Sequence, residues 1–147
     1  MNDSNVEILL VEDNPFDAEM TIRSLTKVNL SNKLIHLKDG AEALDFIFAK
    51  GAFAGRKIED KPKVILLDIK MPKVDGIEVL RQIKSNDATR TIPVVIMTSS
   101  KEEQDIITSY HLGVNSYVVK PVDFQSFAKA ISELGLYWLI TNQQPPA

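Results

Sequence analysis

Apolar residues along the chain gather into short continuous runs, and each run stops at a side chain that can do chemistry. Ile8-Leu9-Leu10-Val11 stops at Glu12-Asp13, Val64-Ile65-Leu66-Leu67 at Asp68, Val94-Val95-Ile96-Met97 at Thr98-Ser99, and Tyr117-Val118-Val119 at Lys120-Pro121. Short runs rich in β-branched residues predict strands buried on both faces, as in a parallel sheet covered by helices. A further strand is predicted from Lys33 to Leu37.

Between these runs the apolar spacing changes to three and four, the period of an amphipathic helix. Asn14-Pro15 predicts a helix start, with Asn as cap and Pro in the first turn, and Ala18, Ile22 and Leu25 share its inner face. Asp39-Gly40-Ala41-Glu42 has the spacing of a capping box and opens a helix whose buried stripe is predicted as Ala43, Leu44, Ile47 and Phe48. Ile69 to Gly76 reads as a turn, followed by a helix carrying Ile77, Leu80 and Ile83. Ser100 and Glu103 again have capping-box spacing, with Gly113 as the expected stop. The last helix is predicted to begin at Asp123 and to carry Phe124, Phe127, Ile131, Leu134 and Trp138 on one face. From Leu134 to Ile140 the chain is almost wholly apolar, which predicts an extension of that helix over about residues 134–142 with a second, partner-covering face, before a frayed tail at 143–147. The connection over residues 50–62 is long for a helix-to-strand loop and is predicted to be a disordered excursion rather than a binding loop.

Strands and helices in strict alternation predict an α/β fold, a five-stranded parallel sheet with five helices. Of the common doubly wound orders, 2-1-3-4-5 suits a chain of this length, and 147 residues suit a single domain with its core over about residues 7–134. That order sets the first and third strands side by side, so Glu12, Asp13 and Asp68 meet at the carboxyl edge, where ligands of open α/β sheets bind.

Composition narrows the chemistry. With no cysteine and only His36 and His111, disulfides, thiolate chemistry and a histidine metal centre or triad are set aside. A net charge of −3 without a basic cluster gives no general attraction to nucleic acid or to an anionic membrane. No signal or membrane-spanning run is present, so a cytoplasmic protein is expected.

At ~4 Å, each carboxylate pair at that edge would cost about 4 kcal/mol at an effective dielectric of 20, so the cluster must take up protons or a cation. Oxygen-only ligands select a hard ion, and few carboxylates leaving room for water suit Mg²⁺. Such a site fits phosphoryl transfer, with Asp68 as nucleophile and with Lys120 and Thr98 holding phosphoryl oxygens. Each residue alone has an ordinary explanation as a turn former, helix cap or solvated strand end; four at four strand ends make coincidence improbable.

Val11-Glu12-Asp13-Asn14, Leu67-Asp68-Ile69-Lys70-Met71-Pro72 with Asp75-Gly76, Met97-Thr98-Ser99 and Tyr117-Val118-Val119-Lys120-Pro121 together resemble the receiver domain of two-component response regulators, which has the flavodoxin-like fold. The resemblance covers the chain from about Glu7 to Leu134. It implies a non-enzymatic signalling switch in which Asp68 accepts a phosphoryl group from a sensor histidine kinase and assists its own phosphorylation and dephosphorylation. It further implies Mg²⁺ ligation by Asp13, Asp68 and the backbone carbonyl of Lys70, with Glu12 acting through water. Thr98 and Lys120 would contact the phosphoryl group, Tyr117 would be the switch aromatic, and the bond before Pro121 would be cis.

The few residues after the last helix suggest a single-domain receiver without a DNA-binding output. The 50–62 connection and Leu136-Tyr137-Trp138-Leu139 resemble regulators paired with bacterial phytochrome kinases, a subgroup that associates through the fourth and fifth helices and the fifth strand. A homodimer involving Tyr110, Tyr117, Leu136, Trp138 and Leu139 is therefore expected, and a histidine phosphotransfer protein stands as a further candidate partner. The Lys70 side chain could reach the phosphoryl oxygens or obstruct an attacking water. The competing enzyme class, an Asp-nucleophile phosphatase of the haloacid dehalogenase type, wants an acid two residues after the nucleophile, where this chain has Lys70. A nucleotide-binding module would want a Gly-rich turn where this chain has Glu12-Asp13-Asn14-Pro15.

Overall fold

A computed structural model describes residues 6–27, 33–71, 73–109, 111–112, 114 and 116–136. Five strands, β1 (Ile8–Val11), β2 (Leu34–Leu37), β3 (Val64–Asp68), β4 (Val94–Thr98) and β5 (Ser116–Val119), form one parallel sheet in the order β2-β1-β3-β4-β5. Five helices alternate with them: α1 (Pro15–Thr26), α2 (Gly40–Ile47), α3 (Gly76–Ser85), α4 (Lys101–Ser109) and α5 (Phe124–Glu133). The order and class are those expected from the chain pattern.

Every residue of β1, β3 and β4 is buried, because helices cover both faces. Leu9, Val11, Ile65, Leu67 and Ile96 face Phe46 of α2, Leu80 and Ile83 of α3 and Ile107 of α4. Their strand neighbours Ile8, Leu10, Leu66, Val95 and Met97 face Leu25 of α1 and Phe127 and Ile131 of α5. Alternation along each strand thus splits one apolar run between two cores.

The helix starts are chemically specified. Asn14 Oδ1 accepts the N–H groups of Phe16 and Asp17 at 2.9 and 3.0 Å. Asp39, Asp75 and Asp123 each accept the N–H three residues on, at 2.8, 2.9 and 2.7 Å. Ser100 Oγ accepts the Glu103 N–H at 3.2 Å.

Three expectations need correction. The inner stripe of α2 is Ala43, Phe46 and Ile47, with Leu44 and Phe48 only half-buried, because the helix turns Phe46 into the core cluster with Leu9, Ile65 and Leu80 and leaves Leu44 and Phe48 at its margin. The 50–62 connection is no disordered excursion but a packed segment. It makes a 3₁₀ turn at Gly51–Phe53, and the Phe53 ring meets Phe46 edge-on at 5.1 Å. The Arg56 guanidinium lies 3.8 Å over Phe46 and donates to the carbonyls of Phe46 and Asp60. Finally, α5 does not run on through residues 134–136. Gly135 takes a positive φ of 74°, and the Leu136 N–H turns back to the Ile131 carbonyl at 2.9 Å, closing the helix. Gly113, and residues 137–147 with Trp138, Leu139 and the rest of the expected extension and tail, lie outside the described residues.

Candidate functional site

Register brings the strand ends together. Val11 of β1 pairs with Leu67 of β3, so Glu12 and Asp13 emerge beside Asp68. Asp68 pairs with Met97, and Thr98 with Val119, so Thr98 and Lys120 complete the same edge. The Lys120 N–H donates to the Thr98 carbonyl at 2.8 Å, and the Lys120–Pro121 bond is cis.

Asp68 is almost wholly buried. Its Oδ1 accepts the Ile69 N–H at 2.8 Å, while Oδ2 lies 3.3 Å from Lys120 Nζ. The same ammonium reaches Glu12 Oε1 at 3.2 Å and Asp17 Oδ2 at 3.3 Å. Burial works against this charge, yet the carboxylates of Asp68 and Glu12 outweigh it and hold the Lys120 pKa above the usual lysine range. Glu12 is pushed up to about 8 by burial first, then by its hydrogen bond to Asp68 and that residue's charge. Carboxylate oxygens of Glu12, Asp13 and Asp68 all lie within 4.8 Å of one another, with Asp13 exposed at the mouth. This all-oxygen donor set fits a hard divalent cation.

Thr98 is fully buried, and its Oγ1 has no hydrogen-bond partner among the described residues. A buried hydroxyl left unmade costs about 1–3 kcal/mol, so such an atom at a ligand-binding edge marks where an acceptor belongs.

Lys70 follows Asp68 by two residues, but its ammonium lies 3.5 Å from Glu103 Oε2 at the start of α4 rather than on the Asp68 carboxylate. Glu103 also accepts the Ser99 N–H at 3.3 Å and the Ser99 hydroxyl at 3.0 Å. Tyr117 stands half-buried on β5, its hydroxyl 3.0 Å from Thr108 Oγ1 on α4. Tyr110, Trp138 and Leu139 lie outside the described residues, and Leu136 packs against the α1 and α5 core. Asp17 and Glu103 were missed by sequence reasoning. Asp17 follows Asp13 by one helical turn, which was the available signal; Glu103 gave none beyond its capping spacing.

The family described as "Response regulator receiver domain" matches residues 8–132. The chain belongs to this family. Among curated relatives, this receiver is 39% identical over 138 residues to the probable methanogenesis regulatory protein FilR2 of Methanothrix harundinacea, covering 94% of this chain and 86% of that one. It is 38% identical over 140 residues to response regulator Rcp1 of Synechocystis, covering 95% and 93%. A solved Mn²⁺-bound form of Rcp1 superposes with a TM-score of 0.72 at 37% identity, covering 96% of this chain and 99% of that one. The bacteriophytochrome response regulator RtBRR superposes at 0.85 with 52% identity, covering 96% and 84%. The receiver is thus a signalling domain of two-component systems, and the phosphatase alternative finds no support. No helix among the described residues is long and apolar enough to cross a membrane.

Proposed function

We propose that Asp68 is the phosphoacceptor. The observation that carries this is the unpartnered Thr98 hydroxyl, buried at the strand end beside that of Asp68. Asp68 Oδ2 attacks the phosphorus of a phosphohistidine; the new O–P bond forms as the P–N bond breaks, and the imidazole nitrogen leaves with the electron pair. Lys120, already 3.3 Å from Asp68 Oδ2, exchanges its carboxylate contacts for a phosphoryl oxygen. Thr98 donates its free hydroxyl to a second one. Asp13 and Asp68, the Lys70 carbonyl and, through water, Glu12 would hold Mg²⁺, which supplies neutralisation of the charge on the transferring group. Incubation with acetyl phosphate and Mg²⁺ tests the reading. A mass gain of one phosphoryl group, lost in Asp68→Asn, is expected; an undiminished gain in that variant refutes it.

The switch residue in this reading is Tyr117, which leaves Thr108 and turns inward once Thr98 moves toward the phosphoryl group. Service by a sensor histidine kinase of the phytochrome type is supported by the 52% identity to the bacteriophytochrome response regulator RtBRR. A homodimer is supported by Ile106 on α4 and Val119 on β5, large apolar side chains 56% and 58% exposed. Sedimentation showing only monomer at tens of micromolar, roughly the range of weak interfaces, counts against it.

A further inference from the structure

The opposite edge of the sheet holds a second concavity. Helices α3 and α4 run back against the strands, so the end of α3, the approach to β4 and the exit from α4 meet at the amino-terminal edge. Arg81, Lys84 and Ser85 of α3, Arg90 before β4, and His111 with Leu112 after α4 line a groove of about 730 Å³. No carboxylate is among its described lining residues.

The three cations there are weakly committed. Arg81 meets Glu78 at 2.5 Å and Arg90 meets Asp87 at 3.6 Å, but both pairs stand largely in solvent, where such contacts add little and exchange readily. Lys84 has no carboxylate partner among the described residues. Its ammonium donates to the carbonyls of Arg90 at 3.1 Å and Ile92 at 3.0 Å, which accept its protons without cancelling its charge. Burial accordingly lowers its pKa. A half-buried cation held only by neutral acceptors gains most from an arriving anion. Two flanking guanidiniums supply the forked donors that suit phosphate oxygens. The negative end of α3 opposes an anion, and Glu78 and Asp87 offset two of the three cations, but the one whole positive charge left over exceeds that partial charge.

His111 and Leu112 also line a smaller cavity of about 310 Å³ with Thr108 and Tyr117, so one wall serves both spaces. His111 sits in the left-handed region at φ 52°, a conformation that side-chain-bearing residues rarely adopt.

We propose that this groove binds a small, multiply charged phosphate compound. A concave site of this size suits such a ligand better than an extended protein segment. The test is calorimetric titration of the full chain with pyrophosphate in the presence of EDTA, which keeps metal–phosphate complexes out of the acidic pocket. Saturable binding is expected, weakened about tenfold or more in Arg81→Gln/Arg90→Gln and in Lys84→Met, but not in Lys50→Gln. Amide shifts on binding are expected to centre on Arg81 to Ser85 and on His111 and Leu112. Circular dichroism and melting confirm that each variant folds. The proposal is overturned by absence of heat up to about 5 mM, by equal affinity in the folded Arg81→Gln/Arg90→Gln variant, or by tighter binding of hexaglutamate than of pyrophosphate.

Discussion

Gly40 and Val74 approach so closely that a Cβ added at Gly40 would lie 1.9 Å from the Val74 carbonyl oxygen. The start of α2 is thereby pressed onto the β3–α3 connection, which also carries Lys70. Gly76 does the same from the far end of that connection, where an added Cβ would meet the Asp68 carbonyl oxygen at 2.2 Å. Both contacts are with backbone, which cannot rotate aside. Gly40→Ala is expected to cost about 2 kcal/mol in urea unfolding and to slow phosphorylation by acetyl phosphate, because the connection must move. A loss below about 0.5 kcal/mol would show that it yields freely.

Asp68 and Glu12 share a buried pocket in which both cannot ionise without cost. Asp68→Asn removes the charge that adds to burial in holding Glu12 in its protonated form, so Glu12 can ionise against Lys120 without the Asp68 carboxylate beside it. Without divalent ions the variant is expected to be more stable than the native chain by about 1 kcal/mol, a rise of about 2–4 °C in melting temperature. Added Mg²⁺ should narrow or reverse that gap, since it binds the native pocket more tightly and stabilises by mass action. Melting curves of both proteins with Mg²⁺ and with EDTA check this.

Lys70, 81% exposed, is held near Glu103 at the start of α4 and not on the Asp68 carboxylate. Lys70→Ala should leave stability within about 0.5 kcal/mol while changing the decay rate of the phosphorylated form about two- to fivefold. Faster decay is the direction expected of a side chain that obstructs the approach of water. Equal rates would remove that role.

The Asp39 carboxyl is held below its ordinary value of 3.8, first by the Glu42 N–H it caps and then by Lys73, whose ammonium lies 3.4 Å away. The folded state therefore favours the ionised form. Its contribution is fully present above pH 3.8 and is lost as pH falls through the lower folded value. Asn is an equally good cap, so Asp39→Asn isolates the charge. The stability difference between native and variant should be measurable at neutral pH and shrink toward pH 3, in urea titrations at about those two values. A difference that does not change with pH would place the effect elsewhere.

Arg56→Ala should cost about 1–2 kcal/mol, because it strips a guanidinium from the Phe46 ring and two carbonyls of their donor. Unaltered stability, with unaltered protease resistance over residues 50–62, would return that segment to the disordered role its length first suggested.

What is local could be read along the chain. Continuous apolar runs marked β1, β3 and β4, and the Asn14, Asp39 and Asp123 caps were legible because a cap bonds within three residues of itself. The site's chemical types were legible too, since they stand at the strand ends. The neighbouring of the first and third strands was expected from a common doubly wound order, but the register that sets Val11 beside Leu67 came only with the folded sheet, since no neighbour in sequence specifies it. Tertiary structure also chose Phe46 over Leu44 for the core, sent Lys70 to Glu103, and anchored the 50–62 segment through one arginine. Gly135 is the instructive case. A glycine after the last buried turn is a helix stop that the chain displays openly, yet apolar continuity beyond it argued for more helix, and the backbone followed the glycine.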